Sequence, residues 1–249
     1  MSIDSAVDLD GLTRAGAVVA RTLAAMQAAV REGVTTAELD DIAGRTIAQH
    51  GAQPAPRLVY GFPGVACTSV NDEAVHGIPG PRRLARGDLV SLDVTVELDG
   101  YFADAAITVG VPPLSDEAAR LVACAEAAFR KGAAAARAGA LVSEIGRAVE
   151  REVERRGFRV LREICGHGVG RDIHEDPQIA NHAIPGDATR VSDGLVIALE
   201  PVISARTRRT RPGADGWTIL SADGSLTAHH EHTLVVTRAR PIVVTAARA

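Results

Sequence analysis

Between Val90 and Val96 the chain alternates strictly, with Val90, Leu92, Val94 and Val96 set against Ser91, Asp93 and Thr95. A period of two with one apolar face is the pattern of a half-buried strand. Asp99-Gly100 follows, a dipeptide suited to the left-handed backbone of a two-residue hairpin turn. Tyr101 to Val109 is therefore expected to return antiparallel, with Leu98 facing Tyr101 and Thr95 facing Asp104. Opposed residues share a face, and so do residues two apart, which sends Asp93 and Asp104 to the same side with Cα atoms roughly 7–8 Å apart. Two carboxylates at that separation repel each other strongly unless cations lie between them. A surface hairpin bearing two acids is the plain alternative for these residues taken alone.

The rest of the chain surrounds this hairpin with helices. Leu12, Val19, Leu23, Met26 and Val30 fall near helical spacing within Leu9 to Glu32, and Gly33 is a plausible stop. Thr35 and Glu38 have the spacing of a capping box, which predicts a second helix running to about His50 and ended by Gly51. Ser115 opens a long Ala-rich helix ending near Gly139, and another follows, ending at Gly157. At an offset of 106 residues Gly33 falls on Gly139, Glu38 on Glu144, Arg45 on Arg151 and Gly51 on Gly157. Further strands are expected at Val196 to Ile203, Trp217 to Leu220 and Thr233 to Val236. The expectation is one α+β domain over residues 1–249, with helices behind an antiparallel sheet and two pseudo-symmetric halves near 9–110 and 115–240. With aromatic residues at only 3%, its core must be mainly aliphatic.

Charge and cysteine content narrow the setting. A formal net charge of -4 argues against a protein whose main task is holding nucleic acid. Arg206, Arg208, Arg209 and Arg211, interleaved with threonines, read as a solvated loop, the sharper alternative being a contact with RNA such as a transient one on a ribosome. The three cysteines show no CxxC spacing, which fits reduced thiols in the cytoplasm. The N-terminus lacks the basic start and apolar run of a signal peptide. The longest apolar stretch, Ala15 to Val30, is broken by Arg21 and Gln27 and is too short to span a membrane. A soluble monomer follows as the default.

The second half carries the remaining chemistry. Cys165-Gly166-His167-Gly168-Val169-Gly170 sets a histidine among glycines, where small neighbours let backbone approach a ligand closely. Ile173-His174-Glu175-Asp176-Pro177 supplies a second histidine. Glu200-Pro201 ends the apolar run Leu195 to Leu199, and Glu231-His232-Thr233 stands before Leu234-Val235-Val236. Glutamates abutting buried strands are costly to ionise unless paired or metal-bound. Each of these alone is better explained as part of a satisfied structural network.

Together, in this order, the motifs resemble the methionine aminopeptidase family of the pita-bread fold. Val75-His76-Gly77-Ile78-Pro79, Asp215-Gly216-Trp217-Thr218 and Cys67-Thr68-Ser69-Val70-Asn71 add matches, and the resemblance runs from about Leu9 to Thr237. The chain is most similar to the compact bacterial type I form, lacking the zinc-binding extension and the insertion of other members. The resemblance implies a dinuclear centre of divalent cations (Co, Mn, Fe or Zn) held by Asp93, Asp104, His167, Glu200 and Glu231. It implies hydrolysis of the first peptide bond by metal-activated hydroxide, with a free N-terminal amine reaching a metal and Glu200 shuttling the proton. His174 would bond the scissile amide or its oxyanion, and His76 the substrate backbone. Tyr60, Phe62, Cys67, Ile173 and Trp217 would line the methionine pocket, Tyr60 having core packing as an equal alternative. Nascent chains with a small second residue would be the substrates.

Two features depart from the family pattern. Ile173 stands where a phenylalanine is usual, and the strand after Asp104 reads as short and without the usual hydroxyl residue. Both bear on pocket shape and leave open a divergent paralogue with other aminopeptidase specificity. A proline-specific aminopeptidase or dipeptidase of the same fold, and a non-enzymatic binding protein retaining it, are the other readings. The second would be expected to lose ligands, and all five are present.

Overall fold

The computed structural model describes residues 1–246. Five helices are α1 (Ala6–Ala29), α2 (Thr36–Gln49), α3 (Ala55–Tyr60), α4 (Asp116–Ala135) and α5 (Val142–Arg155). Six strands carry the site or border it: β1 (Leu89–Leu98), β2 (Tyr101–Gly110), β3 (Cys165–Gly168), β4 (Glu175–Ala180), β5 (Val196–Leu199) and β6 (Glu231–Val235). They lie side by side in the order β1-β2-β6-β5-β3-β4, and every pairing is antiparallel. Gln53–Pro54 and Cys67–Val70 both pair with β1, and Ile242–Val243 pairs with β6.

The hairpin has the expected register, Leu98 opposite Tyr101 and Thr95 opposite Asp104, with Asp99 and Gly100 at positive φ (52° and 78°). The strand after Asp104 is not short, since β2 pairs with β1 out to Gly110. The hairpin is also not half-buried. Val90, Leu92, Val94 and Val96 face the helical layer, but Ser91 and Thr95 on the other face are buried as well. That face is polar because it lines an interior cavity rather than solvent.

α2 and α4 start where Thr35 and Ser115 predict, while α1 starts at Ala6, ahead of the expected Leu9. Ser5 Oγ accepts from the Asp8 N–H, Thr35 Oγ1 accepts from the Glu38 N–H while Glu38 returns to the Thr35 N–H, and Ser115 Oγ accepts from Ala118. Glu144 makes the same return bond to the Leu141 N–H. Two helices stop earlier than their glycines suggest. Beyond Ala29 the Gly33 N–H goes to the Leu84 carbonyl at 2.8 Å, and beyond Ala135 the Gly139 N–H goes to the Val191 carbonyl at 2.8 Å. Both glycines, at positive φ, join the chain to a neighbouring segment instead of capping the helix. α5 lies 106 residues beyond α2 end for end, and α4 ends 106 residues beyond α1, so the offset legible in the sequence is structural. Leu12, Val19, Leu23 and Met26 pack with β1 in one aliphatic cluster, and α4 and α5 cover two others.

Two elements differ from expectation. Val196 to Ile203 is not one strand: β5 stops at Leu199, and Val202–Ser204 pairs instead with Thr227–His229 and Arg159–Val160 in a second sheet. Pro201 has no N–H to continue the ladder, and the break frees Glu200 at the end of β5. The short α3 lies below the length at which periodicity reveals a helix; Pro56 starts it and Gly61, at φ 69°, caps it.

Glycines around His167 solve a packing problem between strands. A Cβ on Gly166 would lie 2.3 Å from the Ala198 carbonyl oxygen, and one on Gly168 would lie 2.3 Å from that of Asp176. The small neighbours therefore admit adjacent backbone on both sides of β3, not a ligand. Gly166→Ala should lower unfolding stability by about 1–3 kcal/mol. Gly80→Ala, where a Cβ meets nothing within 4 Å, should change it by less than about 0.5 kcal/mol. Urea denaturation of the two variants checks the contrast.

Candidate metal centre

Five consecutive strands of the sheet each bring one side chain to a common point. Asp93 lies on β1, Asp104 on β2, Glu231 on β6, Glu200 at the end of β5 and His167 on β3. Thr233 ties β6 to β2 at this point, donating to the Asp104 carbonyl and accepting from its N–H, both at 2.8 Å. All five line one cavity of about 300 Å³. One ligand atom each from Asp104, His167 and Glu231 lies within 4.8 Å of the others, and His167 Nε2 is 3.5 Å from Glu200 Oε1.

The imidazole of His167 has the form a candidate metal ligand needs. Its Nδ1 lies 2.8 Å from the Gly168 carbonyl, which can only accept, so Nδ1 carries the proton. Burial holds its pKa down to about 4. The ring is thus neutral, with the Nε2 lone pair turned to the carboxylates, the arrangement that orients metal-ligating histidines.

Electrostatics define what the centre lacks. Burial pushes the Asp93 carboxyl up to about 6. Burial first, and then the charge of Asp93, raises Asp104 well above the usual carboxylate range. Glu200 and Glu231 are raised by burial and by the charges of their carboxylate neighbours. No Arg or Lys lines the cavity, and Asp104 Oδ1 and Glu231 Oε1 have no hydrogen-bond partner among the described residues. Four uncompensated buried carboxylates with one neutral imidazole are a donor set for oxygen-preferring or borderline divalent cations, and thiolate takes no part. The residues fit a centre of divalent cations, whose positive charge would offset that of the acids.

A narrower cavity of about 90 Å³ opens beside the acids and is lined by Tyr60, Phe62, Cys67, Ile173 and Trp217, with His76 and His174 at its mouth. Phe62 and Trp217 meet edge to face, ring centroids 5.2 Å apart. Ile173 is buried. The Tyr60 hydroxyl lies 2.7 Å from His174 Nδ1, and the His174 and His167 rings meet at a tilt of 56° with centroids 4.2 Å apart. His76 takes a positive φ of 59°, an uncommon conformation for a side-chain-bearing residue. Burial lowers the pKa of both His76 and His174. Burial, with the Asp93 charge next, raises the Cys67 thiol well above its ordinary value, so Cys67 is a wall of the cavity and not a nucleophile. The structure thus brings the candidate ligand and pocket residues together around two adjoining cavities. Sequence reasoning missed His229, whose buried ring lines the larger cavity; its place two residues before Glu231 was the available signal.

Three arginines of the arginine-rich loop have acidic neighbours: Arg208 pairs with Glu154, Arg206 with Glu117 at 3.5 Å and Arg211 with Asp72 at 3.8 Å.

The sign of the acid repulsion can be measured directly. Carboxyl groups whose pKa is raised by folding add stability below their unfolded values and lose it as pH rises through the raised ones. Buried histidines held down, such as His167 at about 4 and His230 at about 4, do the opposite, losing stability as pH falls below about 6.5. At pH 8 the histidines are neutral in both states, which isolates the carboxylates. In EDTA at pH 8, Asp104→Asn should raise unfolding stability by about 1–3 kcal/mol, while binding of a divalent cation is lost. Urea melts and a metal titration check both.

Comparison with known proteins agrees with this geometry. The model of metallopeptidase family M24 matches residues 10–238. A methionine aminopeptidase of Clostridium perfringens is 40% identical over 96% of this chain and 96% of its own length. Methionine aminopeptidase 1 of Bacillus subtilis is 41% identical over 92% of this chain and 93% of its own. The crystal structure of methionine aminopeptidase from Rickettsia prowazekii superposes with a TM-score of 0.94 at 36% identity, covering 99% of this chain and 100% of that one. Prolidase from Pyrococcus furiosus shares the fold, with a TM-score of 0.79 at 21% identity, and this chain covers 65% of it. The fold is the pita-bread fold, and the chain belongs to metallopeptidase family M24.

Proposed function

We propose that this chain is a type I methionine aminopeptidase that removes the N-terminal methionine of nascent proteins and peptides, acting as a single catalytic domain of two pseudo-symmetric halves. The observation that carries the reading is the convergence of five metal-ligating side chains on a cavity that opens directly into a small, mostly apolar one. Full-length similarity to methionine aminopeptidases supports the same reaction. Asp93, Asp104, His167, Glu200 and Glu231 would hold two divalent cations, of Co, Mn, Fe or Zn. When bound, such ions supply Lewis acidity toward the peptide carbonyl and toward water, which brings hydrolysis near neutral pH.

The protein's own groups then divide the work. The smaller cavity takes the methionine side chain, with Ile173 giving an aliphatic wall in place of an aromatic one and Phe62 and Trp217 closing it. Val75, Ile164 and Ile219, on the wall of the larger cavity, leave space for a small second residue. His174, its Nδ1 engaged by Tyr60, presents its other nitrogen to the scissile amide or its developing oxyanion. His76, between the two cavities, contacts the substrate backbone. Glu200, with its pKa raised by burial, takes a proton from the attacking water at a carboxylate oxygen and returns it to the leaving amine nitrogen.

Such an enzyme would work in the cytoplasm as a monomer. No helix among the described residues is long and apolar enough to cross a membrane. A binding protein without activity has less support, because all five ligands are kept in an arrangement that is electrostatically costly without cations.

Metal-stripped protein incubated with Met-Ala-Ser and Leu-Ala-Ser peptides should release methionine only after Mn or Co is restored, and leucine at least about tenfold more slowly. Mass spectrometry of the products reads this. Equal release of both residues would keep the mechanism and discard the methionine preference.

A further inference from the structure

His229 ends the strand Thr227–His229 and is 2% exposed. Its backbone is clamped: its N–H donates to Thr108 Oγ1 at 2.7 Å, and the Thr108 hydroxyl donates to its carbonyl at 2.9 Å. Thr108 Oγ1 also lies 2.8 Å from Ser91 Oγ, so the clamp is anchored in the hairpin that carries Asp93 and Asp104. The ring therefore enters the cavity from a fixed point. Neither ring nitrogen has a hydrogen-bond partner among the described residues, although buried polar nitrogens are nearly always paired. Nε2 lies 3.4 Å from Glu231 Oε2 and 3.9 Å from Glu200 Oε2.

These facts limit what the ring can do. An imidazole carries at least one N–H, and the only charged groups facing Nε2 are the Glu231 and Glu200 carboxylates. Ionised carboxylates only accept, so the N–H belongs on Nε2. A distance of 3.4 Å exceeds that of a formed hydrogen bond to a carboxylate, and a small rotation of the Glu231 side chain closes it.

We propose that His229 is a positioning residue of the metal centre: its Nε2–H is aimed at the Glu231 and Glu200 carboxylates and fixes which of their oxygens face the cavity. The inference rests on the metal-centre reading of the five ligands. It differs from ligation, because an N–H donor toward a carboxylate offers no lone pair to a cation.

The test is calorimetric titration of Mn²⁺ into metal-free parent, His229→Leu and His229→Gln proteins, with thermal unfolding of each metal-free form as the control for folding. His229→Leu should bind Mn²⁺ about 10–100-fold more weakly, and His229→Gln, which keeps an N–H donor, should return to within about threefold of the parent. If His229→Leu does not fold, His229→Ala replaces it with the same expected loss. Unchanged affinity in the apolar variant overturns the proposal, and so does a His229→Gln protein as weak as His229→Leu, since donation would then not be what the ring supplies. Failure of the parent itself to bind Mn²⁺ would instead overturn the metal-centre reading and the inference with it.

Discussion

Mutual repulsion among Asp93, Asp104, Glu200 and Glu231 is the constraint around which this structure is built. Each is buried enough for its carboxyl to be pushed above the usual range, and among the described residues no cationic side chain lines their cavity. A cluster of that kind persists only if the surrounding structure over-determines it. Here each acid sits on, or at the end of, a different strand of one sheet, and the strands are hydrogen-bonded edge to edge, so the backbone positions of the acids are fixed relative to one another. The Thr233 bridge to Asp104 and the Thr108 clamp on His229 serve the same end, tying backbone to backbone at the level of the acids.

The helices make this strained interior affordable in stability. α1 and α2 cover one part of the sheet, α4 and α5 another, and the two pairs repeat at one offset. With few aromatics in the chain, the covering is aliphatic and extensive, and burial of that surface is the dominant favourable contribution to folding. The polar face of the β1–β2 hairpin is consequently interior, and its acids meet a low dielectric that strengthens both their repulsion and their attraction for cations.

How far the sequence revealed this depended on the range of the interactions involved. The hairpin register could be read because Asp99-Gly100 fixes it locally, and two helix starts could be read because Thr35 and Ser115 cap through bonds to residues three positions away. Helix ends were misjudged because Gly33 and Gly139 answer to Leu84 and Val191, which are distant in sequence. Pro201 carried a legible warning that Val196 to Ile203 could not be one strand, yet the apolar run masked it. The five candidate ligands follow from the family resemblance; their convergence is a property of strand order, which no local pattern states. His229 escaped for a similar reason, since a histidine next to another histidine shows nothing of its partners until the sheet is assembled.

The claim on which everything here turns is that the carboxylate cluster exists to hold two cations. Anomalous diffraction at the manganese edge from crystals grown with Mn²⁺ tests it most directly. The account predicts two anomalous peaks enclosed by Asp93, Asp104, His167, Glu200 and Glu231. A cavity without a peak, or manganese held only by residues outside this set, would contradict it.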